Sequence, residues 1–162
     1  MKTPCIVYDF DETLYASHGS RRLYREVWEV LTKLRHRGYH HILLTAEQDL
    51  GFQLAKIERS RVDKLFDPRS IFIVPNPTDK HEELVRIRRE LRRVARDSVD
   101  LRKSVVVGDR LDCEIRYGNS LGFTTVRICR RGGKYSLRRA VSESEVPTCT
   151  ISTLKGLLTI CP

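Results

Sequence analysis

No apolar run in the chain approaches the roughly 20 residues that a membrane-spanning helix needs, so a membrane role is excluded on length. The opening Met1-Lys2-Thr3-Pro4 leads straight into a strand-like segment and leaves no space for a secretory leader, which makes the cytoplasm the expected compartment. Cysteine is sparse and without pattern. Cys5, Cys113, Cys129, Cys149 and Cys161 are odd in number and include no CxxC pair, which counts against a disulfide framework and against structural zinc, and leaves them as reduced packing residues. The histidines, His18, His36, His40, His41 and His81, show neither HxxxH nor HxH spacing. Amides are scarce (Asn76, Asn119, Gln48, Gln53) and there is one Met, a composition associated with thermophilic sources. Internal repeats, linkers and a second core are also lacking, so residues 1–162 are expected to form one domain, long enough to bury a core without staples.

What the chain has in excess is positive charge: 30 Lys and Arg against 21 Asp and Glu, a formal net charge of +9. Such a balance suits an anionic partner, including nucleic acid. A plainer explanation accounts for part of it. Arg86, Arg88, Arg89, Arg92, Arg93 and Arg96 share one stretch with Leu84, Ile87, Leu91 and Val94, which recur at helical spacing and define a buried stripe. The arginines then fall on the solvated face, with Glu82 and Arg86 placed to pair at i,i+4.

Strand-like and helix-like segments alternate. Strands are expected at Cys5–Phe10, His41–Thr45, Ile71–Val74, Ser104–Gly108 and Thr124–Ile128, with a short sixth at Cys149–Ile151. Between them lie a helix on Leu23, Val27, Val30, Leu31 and Leu34 closed by Gly38, and a second from Asp49 to Arg59 with Phe52, Leu54, Ala55 and Ile57 as core positions. A third is capped by Thr78 or Asp79 and runs to about Asp97, a fourth spans Leu111 to Ser120, and a last one Ser152 to Ile160. Continuously apolar strands in such an alternation imply an α/β fold: a three-layer, doubly wound parallel sheet with helices on both faces.

Ligands of an open parallel sheet bind beyond the carboxyl ends of its strands, near a topological switch point. The polar residues at those ends are Asp9, Asp11 and Thr13 after the first strand, Thr45 ending the second, Lys80 opening the third helix, and Asp109, Asp112 and Glu114 after the fourth. Taken singly, an Asp at a strand end is commonly a turn or capping residue, Thr45 an ordinary cap and Lys80 a surface lysine. Taken in order, Asp9-Phe10-Asp11-Glu12-Thr13, Thr45, Lys80 and Gly108-Asp109-Arg110-Leu111-Asp112-Cys113-Glu114 resemble the four motifs of the haloacid dehalogenase-like hydrolase superfamily. The likeness covers nearly the whole chain and includes Gln53, Lys56, Leu65-Phe66-Asp67 and Gly118-Asn119-Ser120-Leu121-Gly122.

The resemblance implies a Mg²⁺-dependent phosphomonoester hydrolase that works through a phospho-aspartate on Asp9. It implies Asp11 as general acid and base, Thr45 and Lys80 as holders of the phosphoryl oxygens, and Asp9, Asp109 and the Asp11 carbonyl as metal ligands. An acid at position 11 points to phosphoryl transfer, since the dehalogenases of the superfamily lack one there. The second acid of the fourth motif is usually Asp; Glu114 holds that place here, with Asp112 as an alternative, and neither is assigned as a direct ligand. His18 is the histidine expected to face the site.

Many relatives carry a lid-like cap. The two insertion points, Thr13 to about Ser20 and Arg61 to Ser70, are too short to bury a core of their own, so a capless member with an open site is expected. The expected partner is a phosphorylated substrate, with macromolecules favoured over small metabolites because recognition falls to a basic rim of His18, Arg21, Arg22, Arg110, Arg131, Lys134 and Arg138. The alternative is a non-catalytic basic module on the same fold that binds nucleic acid.

Overall fold

The computed structural model describes residues 4–95 and 103–162. Its regular elements are β1 (Cys5–Tyr8), α1 (Val27–His36), β2 (His40–Ala46), α2 (Leu50–Ser60), β3 (Ile71–Val74), α3 (Asp79–Ala95), β4 (Val105–Gly108), α4 (Arg116–Ser120), β5 (Thr124–Ile128), β6 (Cys149–Ile151) and α5 (Leu157–Ile160). The strands form one six-stranded sheet in the order β3-β2-β1-β4-β5-β6, and every pairing is parallel. The chain winds outward from β1 to β3, returns to the centre as β4, and winds outward the other way. The switch point therefore lies between β1 and β4, where the connections leave in opposite directions and open a crevice.

Side chains of successive strand residues point to opposite faces. Ile6 and Tyr8 of β1 join Leu31, Leu34, Leu43, Val107 and Val126 in one core, under α1 and the C-terminal segment. Val7 joins Ile42, Leu44, Val106, Leu84 and Ile87 in the other, under α3. Burial on both faces explains why these strands read as continuous apolar runs. The sheet, its helices on both faces and the short β6 match the expectation from sequence.

Several details differ. The first helix starts at Val27, and Leu23 instead pairs with Tyr15 in a small hairpin whose other bridge joins Tyr15 to Asp11. Phe52 and Leu54 are not core residues: they are 53% and 45% exposed, whereas Gln53 and Ile57 of the same helix are fully buried. Arg86 pairs with Glu83 at i,i+3, at 2.7 Å, rather than with Glu82. The fourth helix opens with a π-helical turn, Leu111–Ile115, and the last is a 3-10 turn at Leu154–Gly156 followed by the single turn of α5. Gly38 (φ +86°) supplies the left-handed residue after α1, as its position predicts. The continuation of the third helix to Asp97, with Arg96 and the side chain of Val94, lies outside the described residues. Among the described residues there is no cap domain and no helix long and apolar enough to cross a membrane.

Candidate active site

Asp9 lies just beyond β1. Its N–H donates to the Val107 carbonyl at 2.9 Å, which extends the β1–β4 ladder by one step and holds the carboxylate over the central crevice. Lys80 enters from the first turn of α3. Its Nζ is 2.6 Å from Asp9 Oδ1 and 2.6 Å from Glu114 Oε1, and all three side chains are buried. Glu114 reaches this position by lying over Gly108: a Cβ there would stand 2.4 Å from Glu114 Cγ. The π-helical turn carries Glu114 inward and leaves Asp112 outside, where it pairs with Arg110 at 3.1 Å and Arg138 at 3.0 Å. Glu114 is thus the acid of the fourth motif that enters the site beside Asp109. Arg110 and Arg138, two of the arginines expected on the rim, share the single carboxylate of Asp112, and Arg110 lines the pocket.

Asp109 follows β4 and is also buried. Asp9 and Glu114 share the Lys80 ammonium group, and Asp109 adds a third buried carboxylate beside them. Burial raises the pKa of Asp9 against the pull of Lys80, and Glu114 and Asp11 add to the rise. Burial likewise raises Asp109, reinforced by Asp9 and Glu114. Glu114 stays below its usual range because Lys80 outweighs its own desolvation, and Lys80 is held charged by the two carboxylates despite its burial. The second oxygen of Glu114, Oε2, is buried with no hydrogen-bond partner. A surplus of buried negative charge with an orphaned oxygen suits a hard divalent cation such as Mg²⁺, which takes few protein oxygens and keeps several waters. Among the described residues no three His, Cys, Asp or Glu side chains form a ready-made cluster of ligands. Two carboxylates, a backbone carbonyl and water make a ligand set of the kind Mg²⁺ accepts.

Asp11 stands on the other side of Asp9, held from α2. Gln53 Nε2 donates to Asp11 Oδ2 at 3.0 Å and to Thr45 Oγ1 at 2.7 Å, and Lys56 Nζ lies 2.5 Å from Asp11 Oδ1. Because Thr45 Oγ1 accepts this bond, its own proton remains free for an incoming oxygen. The buried side of α2 is polar for this reason: Gln53 occupies a position that periodicity would assign to an apolar residue. Glu12, to which the sequence pointed in no specific way, adopts a left-handed conformation (φ 58°). It accepts bonds from Ser17 Oγ at 2.9 Å and from the His18 backbone N–H at 2.9 Å. Burial pushes its pKa upward, but these donors prevail and keep it below the usual range. Glu12 thereby folds the 12–18 loop against the site. His18 faces the site, as expected, with Nδ1 3.2 Å from Glu12 Oε1. Asp9, Asp11, Thr45, Lys80 and Asp109, the five residues expected from sequence, all line one pocket of about 190 Å³, together with Glu12, His18 and Glu114.

The fold has solved counterparts. A haloacid dehalogenase-like hydrolase from Burkholderia xenovorans superposes with a TM-score of 0.74 at 14% identity, over 99% of this chain and 97% of its own. The fold is that of the haloacid dehalogenase-like hydrolases. A D,D-heptose 1,7-bisphosphate phosphatase from B. bronchiseptica, complexed with magnesium and phosphate, is similar over 97% of this chain and 99% of its own, with a TM-score of 0.65 at 17% identity. The hydrolase YfnB from Bacillus subtilis, bound to magnesium, has a TM-score of 0.64 at 16% identity; it is matched over 86% of this chain, which spans only 56% of its length. No family model and no curated protein matches the chain. Identities this low establish the haloacid dehalogenase-like fold, and the chemistry rests on the site.

Proposed function

We propose that the chain is a Mg²⁺-dependent phosphomonoester hydrolase with Asp9 as nucleophile. The observation that carries this is the meeting of Asp9 and Asp109 at the switch point, with Lys80 2.6 Å from Asp9 and a hydroxyl and a second acid on the opposite side. A phosphomonoester dianion is repelled by a carboxylate unless positive charge screens it. Asp9, Asp109 and the Asp11 carbonyl would hold Mg²⁺, which supplies that screening and polarises the phosphoryl group. The magnesium seen in two proteins of the same fold supports this.

The residues divide the work as follows. An Asp9 carboxylate oxygen attacks phosphorus, and the bond to the leaving oxygen breaks as Asp11 gives that oxygen a proton. Asp11 then takes a proton from the water that attacks phosphorus, which frees inorganic phosphate and restores Asp9. Gln53 and Lys56 keep Asp11 in position for both transfers, Thr45 donates to a phosphoryl oxygen, and Lys80 neutralises another while fixing Asp9. A non-catalytic nucleic-acid module is less well supported, because it gives no role to the meeting of Asp9, Asp11, Thr45, Lys80 and Asp109 in one pocket. Replacing Asp9 by Asn should abolish phosphate release from p-nitrophenyl phosphate with an unchanged circular-dichroism spectrum. Turnover within tenfold of wild type would remove Asp9 from the nucleophile's role.

A further inference from the structure

Beside the acidic pocket runs a second, larger depression of about 860 Å³. The two share Ser17, and Lys56 stands at the junction with Nζ 2.5 Å from Asp11. The depression carries three aromatic rings (Tyr15, Trp28, Phe52) and three arginines (Arg21, Arg22, Arg59), and among the described residues no acidic one lines it. Trp28 and Phe52 are 44% and 53% exposed. The hairpin holds its shape before any ligand arrives: Ala16 N–H donates to the Arg22 carbonyl at 2.9 Å, Tyr24 N–H to the Leu14 carbonyl at 3.0 Å, and Tyr15 Oη to the Arg21 carbonyl.

We infer that this groove binds single-stranded nucleic acid and presents its terminal phosphomonoester to Asp9. The inference rests on the phosphatase reading and names its substrate class. Exposed rings interleaved with arginines, without opposing acids, are what successive bases and phosphates require, because every base has a face to stack and every linkage a charge to neutralise. An acidic phosphopeptide would use the arginines but leave the rings idle. The placement also fits the chemistry. Asp11, the proton donor to the leaving oxygen, lies on the groove side of Asp9, so the departing hydroxyl end of the strand would leave along the groove.

Trp28 is the single tryptophan of the chain and reports on the groove directly. The experiment titrates the Asp9→Asn protein with 5′- and 3′-phosphorylated oligo-dT, and with an acidic phosphoserine peptide of equal charge, while following Trp28 fluorescence. Hydrolysis of the same ligands and of p-nitrophenyl phosphate is measured with wild type. We expect quenching by oligo-dT and affinity at least tenfold above the peptide's. Affinity should fall about 20-fold between roughly 50 and 200 mM salt, the slope for three phosphate contacts on a single strand. Phe52→Ala and Arg59→Ala should each lower kcat/KM for the oligonucleotide at least fivefold and leave p-nitrophenyl phosphate hydrolysis unchanged. Oligo-dT that does not quench Trp28 overturns the inference, as does a peptide that binds equally well. If wild type hydrolyses nothing yet oligo-dT binds with dependence on Phe52, the groove stands and the phosphatase reading falls.

Discussion

Replacing Lys80 by Met tests the charge balance of the site. The ammonium lies 2.6 Å from both Asp9 and Glu114, and the three side chains are no more than 9% exposed, so solvent screens these pairs little. Breaking a buried ion pair by removing one partner costs about 3–5 kcal/mol, because the other partner is left charged and unpaired. For a chain of this size each kcal/mol lowers Tm by roughly 2–4 °C, so Lys80→Met should melt about 6–20 °C below wild type near neutral pH. Without Lys80 the folded carboxyls titrate above their unfolded values, so the folded variant holds protons that the unfolded chain has released. The contribution of these carboxyls to stability is then greatest at low pH and is lost as pH rises through the folded pKa. The deficit relative to wild type should therefore shrink as pH is lowered toward 4.5. Millimolar Mg²⁺ should raise Tm more in the variant than in wild type, since a cation that binds the folded state stabilises it by mass action. Thermal denaturation followed by circular dichroism from pH 4.5 to 8, with and without Mg²⁺, measures all three effects. A deficit below about 2 °C at pH 7, or one that does not change with pH, would refute the view that Lys80 compensates buried carboxylates.

Chelation should stop phosphate release and Mg²⁺ restore it; Asp109→Ala should remove activity or raise the Mg²⁺ requirement, Glu114→Ala should follow in severity through Lys80, and Asp112→Ala should be mildest, an order that steady-state assays over a range of Mg²⁺ will check. Gly108→Ala should cost about 1–3 kcal/mol by overpacking, since the added Cβ meets Glu114 at 2.4 Å, and a melting curve within 1 °C of wild type would contradict that contact. His41 is buried: its Nε2–H donates to the Leu31 carbonyl at 2.9 Å and its Nδ1 accepts from Tyr8 Oη at 3.1 Å. Burial lowers its pKa from 6.5 to about 4, so the unfolded chain binds the extra proton and stability falls as pH drops from about 6.5 to 4. That term is about 3 kcal/mol at its fullest, and a His41→Gln variant should show a flatter dependence in denaturant titrations.

The sheet was legible because strands buried on both faces read as unbroken runs without charged residues, as at Cys5–Tyr8 and Val105–Gly108. The site residues were legible for a related reason, since polar side chains interrupt those runs at the strand ends. Helix α2 was misread in part. Phe52 and Leu54 have the chemistry of core residues, but the helix turns its inner side toward Asp11 and Thr45, where Gln53 satisfies two oxygens and an apolar residue satisfies none. No periodicity can report that, because the demand comes from residues elsewhere in the chain. The choice between Asp112 and Glu114 was hidden too: it depends on a π-helical turn and on the bare Cα of Gly108, and both are tertiary facts. Glu12 carried no signal beyond its place next to Asp11.

Asp9 and Asp109 stand about a hundred positions apart in the chain and meet only through the pairing of β1 with β4. Of the acids around Asp9, Asp11 belongs to the β1–β3 half of the chain; Asp109 and Glu114 both follow β4. The repulsion from Asp109 and Glu114 therefore comes with the joining of the two halves of the sheet along their central seam. Assembly of the site thus requires the long-range pairing of β1 with β4, a contact of the kind that slows folding. A cation that favours the joined state should act on that step: it holds the seam shut and slows unfolding, and leaves the formation of either half untouched.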